Sequence, residues 1–245
     1  MNKKLKYVLV LSLLGNLAIG YIGYKAYTYR THINYWLERY DHAIAEFSGR
    51  EEHRAANDAL GVPSPDVKRL VFFGTQVISN WDVGKYFPDF ETINRGVDSQ
   101  RVAGYLLRFR PDAIDLSPTA VVIEISSYNF RPNVTTTEIR DYVVSMVELA
   151  VANNIVPILC TIIPPTSDFT VYEHPDYHVR DTVAAFSAWL AAYTGEHELP
   201  LADFRGAVTG ADGYLRPELA TTQVDLNGRG YDAIAEALRY ALDRI

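Results

Sequence analysis

The sequence predicts an α/β domain on a parallel sheet, preceded by a membrane-spanning helix and an amphipathic helix. Three observations carry this reading. Across residues 66–245, short β-rich apolar runs alternate with longer stretches of helical periodicity, the pattern of right-handed strand–helix–strand crossovers. The run Ala120–Ile125 is dominated by apolar residues without alternation, as expected of a strand covered on both faces. Near the N-terminus, Lys3, Lys4 and Lys6 precede a mostly apolar stretch from Tyr7 to Tyr24, closed by Lys25 and Arg30.

That stretch is close to the roughly 17–25 residues needed to cross a bilayer. It is read as an uncleaved signal anchor over 7–28, with residues 1–6 in the cytoplasm because the basic cluster precedes it. The main domain then lies outside the cytoplasm, facing the membrane (in the periplasm, if the organism has one). A cleaved signal peptide is the competing reading. Its best small-residue site, around Ala18 and Gly20, falls inside the apolar run, and no cysteine follows to carry a lipid. Ser12, Asn16 and Gly20 recur every four residues and share one helix face. Asn16 is polar at membrane depth, so this face can serve a partner helix. Other membrane-protein subunits or a second copy of the chain are the expected partners.

Residues 29–65 read as an amphipathic helix and a linker. Ile33, Trp36, Leu37, Tyr40, Ile44 and Phe47 follow helical spacing, and Trp36, Tyr40, Ile44 and Phe47 are a second candidate partner face. Pro63 and Pro65 mark entry into the main domain, 66–245. There, strands are expected at Leu70–Phe73, Glu91–Asn94, Ala120–Ile125, Ile155–Ile163 and Leu199–Ala202. Helices are expected at Ser99–Arg110, Thr137–Asn153, Val179–Tyr193 and about Gly228–Arg244. Thr135 and Glu138 form a capping-box pattern ahead of the second of these. In such sheets ligands bind beyond the carboxyl ends of the strands. Those ends carry Gly74–Ser79, Asn94–Ser99, Ser126–Phe130, Pro164–Phe169 and the turn before the last helix.

The composition narrows the function. The 245 residues are 48% hydrophobic and carry a net charge of −7, which argues against nucleic acid as the main partner. The single cysteine, Cys160, lies in an apolar run and reads as a buried small hydrophobe. Zinc-ligand spacings, a P-loop and a dinucleotide-type glycine loop are absent, so no metal or cofactor is expected.

The segment "YFPDFETINRGVDSQRVAGYLLRFRPDAIDLSPTAVVI", with "AFSAWLAAYTGEHELPLADF" and the terminal "LNGRGYDAIAEAL", resembles the SGNH (GDSL-type) hydrolases. The likeness covers residues 68–243 and is closest to the branch of platelet-activating-factor acetylhydrolase subunits. It implies a three-layer α/β/α, flavodoxin-like domain with a five-stranded parallel sheet. It also implies an acyl-hydrolase site made of a Gly-Asp-Ser serine, an oxyanion hole and an Asp-x-x-His pair before the last helix.

Carried over position by position, Gly-Asp-Ser becomes Gly74, Thr75 and Gln76. The second-block glycine is Gly96. Tyr128 stands at the third-block asparagine, which a one-residue slip would restore as Asn129. The Asp-x-x-His pair falls on Thr222 and Asp225. An amide at position 76 offers no hydroxyl for an imidazole to activate, and an ordinary carboxylate near pKa 3.9 is a weak base for a serine. The expectation is therefore a non-enzyme: a membrane-anchored protein acting as a subunit of a membrane complex. Alternatively it holds a small sugar or acyl ligand among Gln76, Gly96, Tyr128, Thr222 and Asp225. The other class is an active envelope esterase with relocated groups, drawing on Ser79, Ser99, Ser126 or Ser127 with His174 or His178. Asp98 paired with Asp225 would suggest glycoside chemistry.

Overall fold

The computed structural model describes residues 2–132, 134–170 and 177–245; the side chains of Glu38 and of residues 41–46, Ile44 among them, lie outside the described set. The chain forms two compact units, Met1–Glu46 and Phe47–Ile245. The first unit is almost all of α1 (Lys3–Phe47), one helix of 45 residues. The sequence pattern predicts two helices here. No proline or glycine stands between Lys25 and Phe47, so nothing stops the first from running into the second. Its portion Lys3–Leu37 is long and apolar enough to cross a membrane, with a mean hydropathy of 1.7 in its most apolar window. Ser12, Asn16, Gly20, Trp36, Tyr40 and Phe47 are all exposed. The helix ends ahead of Gly49, whose φ of +61° is the left-handed turn glycine adopts at little cost.

The second unit holds five parallel strands: β1 (Arg69–Gly74), β2 (Glu91–Gly96), β3 (Ala120–Ile123), β4 (Val156–Cys160) and β5 (Leu201–Ala202). Their order across the sheet is β2-β1-β3-β4-β5. The helices are α2 (Arg54–Asp58), α3 (Gln76–Ser79), α4 (Val83–Tyr86), α5 (Val102–Asp112), α6 (Thr136–Ala152), α7 (Val179–Glu196), α8 (Phe204–Val208) and α9 (Gly228–Leu242). Pleat alternation splits the core in two. Val71, Phe73, Val121, Ile123 and Leu159 pack with the buried faces of α5, α6 and α7. Leu70, Phe72, Val122, Ile158 and Cys160 pack with α3, α8 and α9. This is the three-layer α/β/α architecture. Thr135 caps α6, its hydroxyl accepting the Glu138 amide at 3.2 Å. The helix expected from Ser99 starts instead at Val102, because Ser99 sits at φ +56°, outside helical backbone space.

The charged stretch after α1 packs on this unit as a strap. The Ser48 carbonyl accepts from the Gln100 side-chain amide at 3.0 Å, and a ring nitrogen of His53 lies 3.1 Å from the Gly96 carbonyl. The Asn57 amide donates to the Asp112 carboxylate at 2.6 Å and to the Pro111 carbonyl at 3.1 Å. Arg95 donates to the Asn57 side-chain oxygen at 2.7 Å.

Candidate active site

The carboxyl ends of β1, β2 and β3 bring the first three motif segments together. β1 ends at Gly74, where a β-carbon would collide with the Glu124 carboxylate and with Ile78; the close approach dictates glycine. The chain turns at Thr75 and enters α3 at Gln76. The turn is held from beneath by Glu124, whose carboxylate accepts the Thr75 amide at 2.9 Å and its hydroxyl at 3.0 Å. Both residues are buried. Burial pushes the Glu124 carboxyl up to about 7, against the two Thr75 bonds, which pull it down. The same burial raises its neighbours Tyr105 and Cys160, and the Glu124 charge adds to it. Gln76 is half-buried, and its side-chain oxygen is enclosed with no hydrogen-bond donor.

Gly96 lies behind α3, so close that a β-carbon would collide with the Ser79 backbone. Its amide already donates to the Asn94 side chain at 2.9 Å. Asn94 in turn donates to the Ile78 and Trp81 carbonyls at 2.6 and 3.1 Å. Asn94 and Gly96 thus fasten the second block to α3, and the Gly96 amide is occupied. Ser99, three residues on, donates to Asp98 at 3.2 Å.

In the third block, Tyr128 is half-buried with the Arg131 guanidinium 4.0 Å over its ring. Asn129 is buried and faces the protein interior. Its side-chain oxygen accepts the Val102 amide at 2.8 Å and so caps α5. The Ser126 hydroxyl accepts the Tyr128 amide at 3.2 Å. Before α9, the exposed Thr222 donates to Asp225 at 2.7 Å and accepts the Asp225 amide at 3.1 Å. α9 is fixed to α3 by Tyr231, whose hydroxyl donates to the Val77 carbonyl at 3.0 Å.

Among the four serines around the elbow, Ser126 and Ser127 are buried, while Ser79 and Ser99 are exposed. Ser79 lies one helical turn after Gln76, with a 3.3 Å bond to the Gln76 carbonyl. His178 is the N-cap residue immediately before α7, and His174 lies outside the described residues. Among the described residues no group of His, Cys, Asp and Glu side chains could hold a metal ion. Sequence reasoning missed Glu124, Arg108 and His53. The first two are charged groups in apolar surroundings, a signal visible in "VVIEI" and "YLLRF". The contact of His53 with Gly96 spans 43 residues and leaves no local trace.

Residues 73–233 match the GDSL-like lipase/acylhydrolase family model. A GDSL-like lipase from Bacteroides thetaiotaomicron VPI-5482 is 27% identical, over 81% of this chain and 98% of that one, with a TM-score of 0.72. A protein from Bacteroides fragilis NCTC 9343 assigned as an acylhydrolase is 28% identical, over 81% and 97%, with a TM-score of 0.71. A Streptococcus pneumonia protein assigned as a platelet activating factor shares the fold, at 14% identity over 84% and 97% and a TM-score of 0.68. No curated protein matches the chain significantly. These likenesses overturn the expectation of a non-enzyme: the matched family and both Bacteroides neighbours are lipases or acylhydrolases. Replacement of the side chains at Gln76, Tyr128, Thr222 and Asp225 shows the loss of those groups and not the loss of the reaction.

Proposed function

This chain belongs to the GDSL-like lipase/acylhydrolase family, and on that premise we propose that it hydrolyses acyl esters through a relocated hydroxyl, from a domain tethered to a membrane by α1. The observation that carries this reading is the built elbow: Gly74 and the Thr75–Glu124 clamp hold a strand-to-helix turn, and Ser79 is exposed at the far end of the short helix α3 that follows it. Ser79 is assigned as the nucleophile. Its oxygen bonds to the ester carbonyl carbon, and its proton passes to Asp225, the carboxylate on the rim where the family carries its imidazole; a carboxylate is a weak base for a serine, so turnover slower than with an imidazole is expected. The carbon–oxygen bond to the alcohol breaks, and the alcohol leaves with that proton. Water then cleaves the acyl-serine.

The tether reading has the N-terminus in the cytoplasm and the hydrolase domain outside it, because Lys3, Lys4 and Lys6 precede the apolar run. Ser12, Asn16 and Gly20 offer one face of the span to a second membrane helix, from another subunit or another copy.

Turnover of short-chain aryl esters by the full-length protein in detergent tests the assignment. Activity that falls at least about a hundredfold in Ser79→Ala, the scale of a lost catalytic group, supports it. Activity unchanged in Ser79→Ala, or absent from the wild type, rejects it.

A further inference from the structure

Arg108 is fully buried on α5 and bonds in four directions. Its guanidinium donates to the Gly74 carbonyl at 3.1 Å, the Arg95 carbonyl at 2.8 Å, the Asp112 carboxylate at 3.1 Å and the Gln100 side-chain oxygen at 2.5 Å. It lies 4.0 Å over the Phe73 ring. Two of these partners reach further. Gln100 donates to the Ser48 carbonyl, and Asp112 accepts from Asn57. One buried cation therefore joins the carbonyl of the elbow glycine, the second-block strand and two residues of the strap that continues from the membrane helix.

An unpaired charge at such depth is strongly destabilising, so every arm of this hub has to be satisfied. Strap residues supply the outer arms. Asn57 binds Asp112, the Pro111 carbonyl and Arg95 at once. His53 adds a contact to the Gly96 carbonyl, on the residue that packs against the backbone of Ser79.

We propose that the strap, residues 48–58, is a positioning element of the site: its docking completes the shell around Arg108, and its release loosens the elbow (74–79) and the second-block segment (95–100) together. The strap follows α1 directly, so a change in that helix has a covalent route to the site. The proposal rests on the hydrolytic reading only for its kinetic arm.

The test is hydrogen exchange on full-length protein in detergent, wild type against Asn57→Ala. The expected result is faster exchange, by about tenfold, at 74–79 and 95–100 as well as in the strap. The kinetic arm expects kcat to fall by a similar factor with KM within about twofold, as for a loss of positioning. Arg54→Ala, which removes only the exposed pair with Glu51, leaves both unchanged. Faster exchange confined to 48–58 overturns the proposal. If Asn57→Ala does not fold, His53→Gln carries the same two readings. A wild type without ester turnover sinks the hydrolytic reading, while the exchange rates at 74–79 and 95–100 still decide whether the strap positions the elbow.

Discussion

The shell beneath the elbow and the rim above it are built on different terms. Beneath, Arg108 and Glu124 are buried charged groups whose hydrogen bonds all go to the protein, most of them to backbone or to residues of other elements. Above, Thr222 and Asp225 bond chiefly to each other across three residues of one loop. The residues that stand where the family keeps its catalytic side chains lie mostly at the rim and the turn. The shell that shapes the elbow is densely connected, and a change in it is felt across β1, β2 and α5. Side chains at the rim can be exchanged without disturbing that frame. A reading that looks only at the rim therefore underestimates what the frame still offers.

The sharpest test of this contrast is to remove the hub. Arg108→Met leaves Asp112 buried without its cation and the Gly74 and Arg95 carbonyls without a donor. The expected loss is on the order of 3–5 kcal/mol, read as a collapse of the domain's thermal transition.

Glu124 comes next, and its effect depends on pH. Its carboxyl is raised from 4.5 to about 7, so the folded chain holds this proton more tightly than the unfolded chain. The associated stability is full below pH 4.5 and is lost as pH rises to about 7. Glu124→Gln removes that dependence. Between pH 4.5 and 7.5 the wild type should lose on the order of 3 kcal/mol relative to the variant, seen as diverging melting temperatures. Parallel curves would show that the carboxyl does not titrate in that window.

Tyr231→Phe removes one hydrogen bond, to the Val77 carbonyl. A loss of about 1 kcal/mol is expected by denaturant titration. Thr222→Ala, at the exposed rim, should change stability by less than about 0.5 kcal/mol. A larger loss there would erase the distinction between rim and shell.

Much of the frame is legible in the sequence. The apolar runs at Leu70–Phe73 and Ala120–Ile125 are too short for helices and too continuous for half-exposed strands, so burial on both faces follows. The cap at Thr135 is local and readable for that reason. What is not legible depends on distant partners. Asn57 and His53 look like members of a solvated charged stretch until Asp112 and Gly96 are brought against them. Ser99 gives no sign that it will take a left-handed backbone. Gly96 stands at an oxyanion donor's position, but its amide is committed to Asn94, and Asn129, a candidate for the site, is spent on capping α5. At the site itself the sequence shows which side chains stand at the family positions. It does not show that Ser79 is the exposed hydroxyl on the elbow helix, because exposure is a property of the packed molecule.

Acyl transfer by a hydroxyl on this elbow, as proposed, can be measured at the residue itself. The direct measurement is covalent labelling of the full-length protein by a fluorophosphonate probe, with the modified residue located by mass spectrometry of its peptides. One label per chain is expected, on Ser79, abolished in Ser79→Ala and slowed in Asp225→Asn. A protein that stays unlabelled while folded, or a label on another residue that persists in Ser79→Ala, would contradict it.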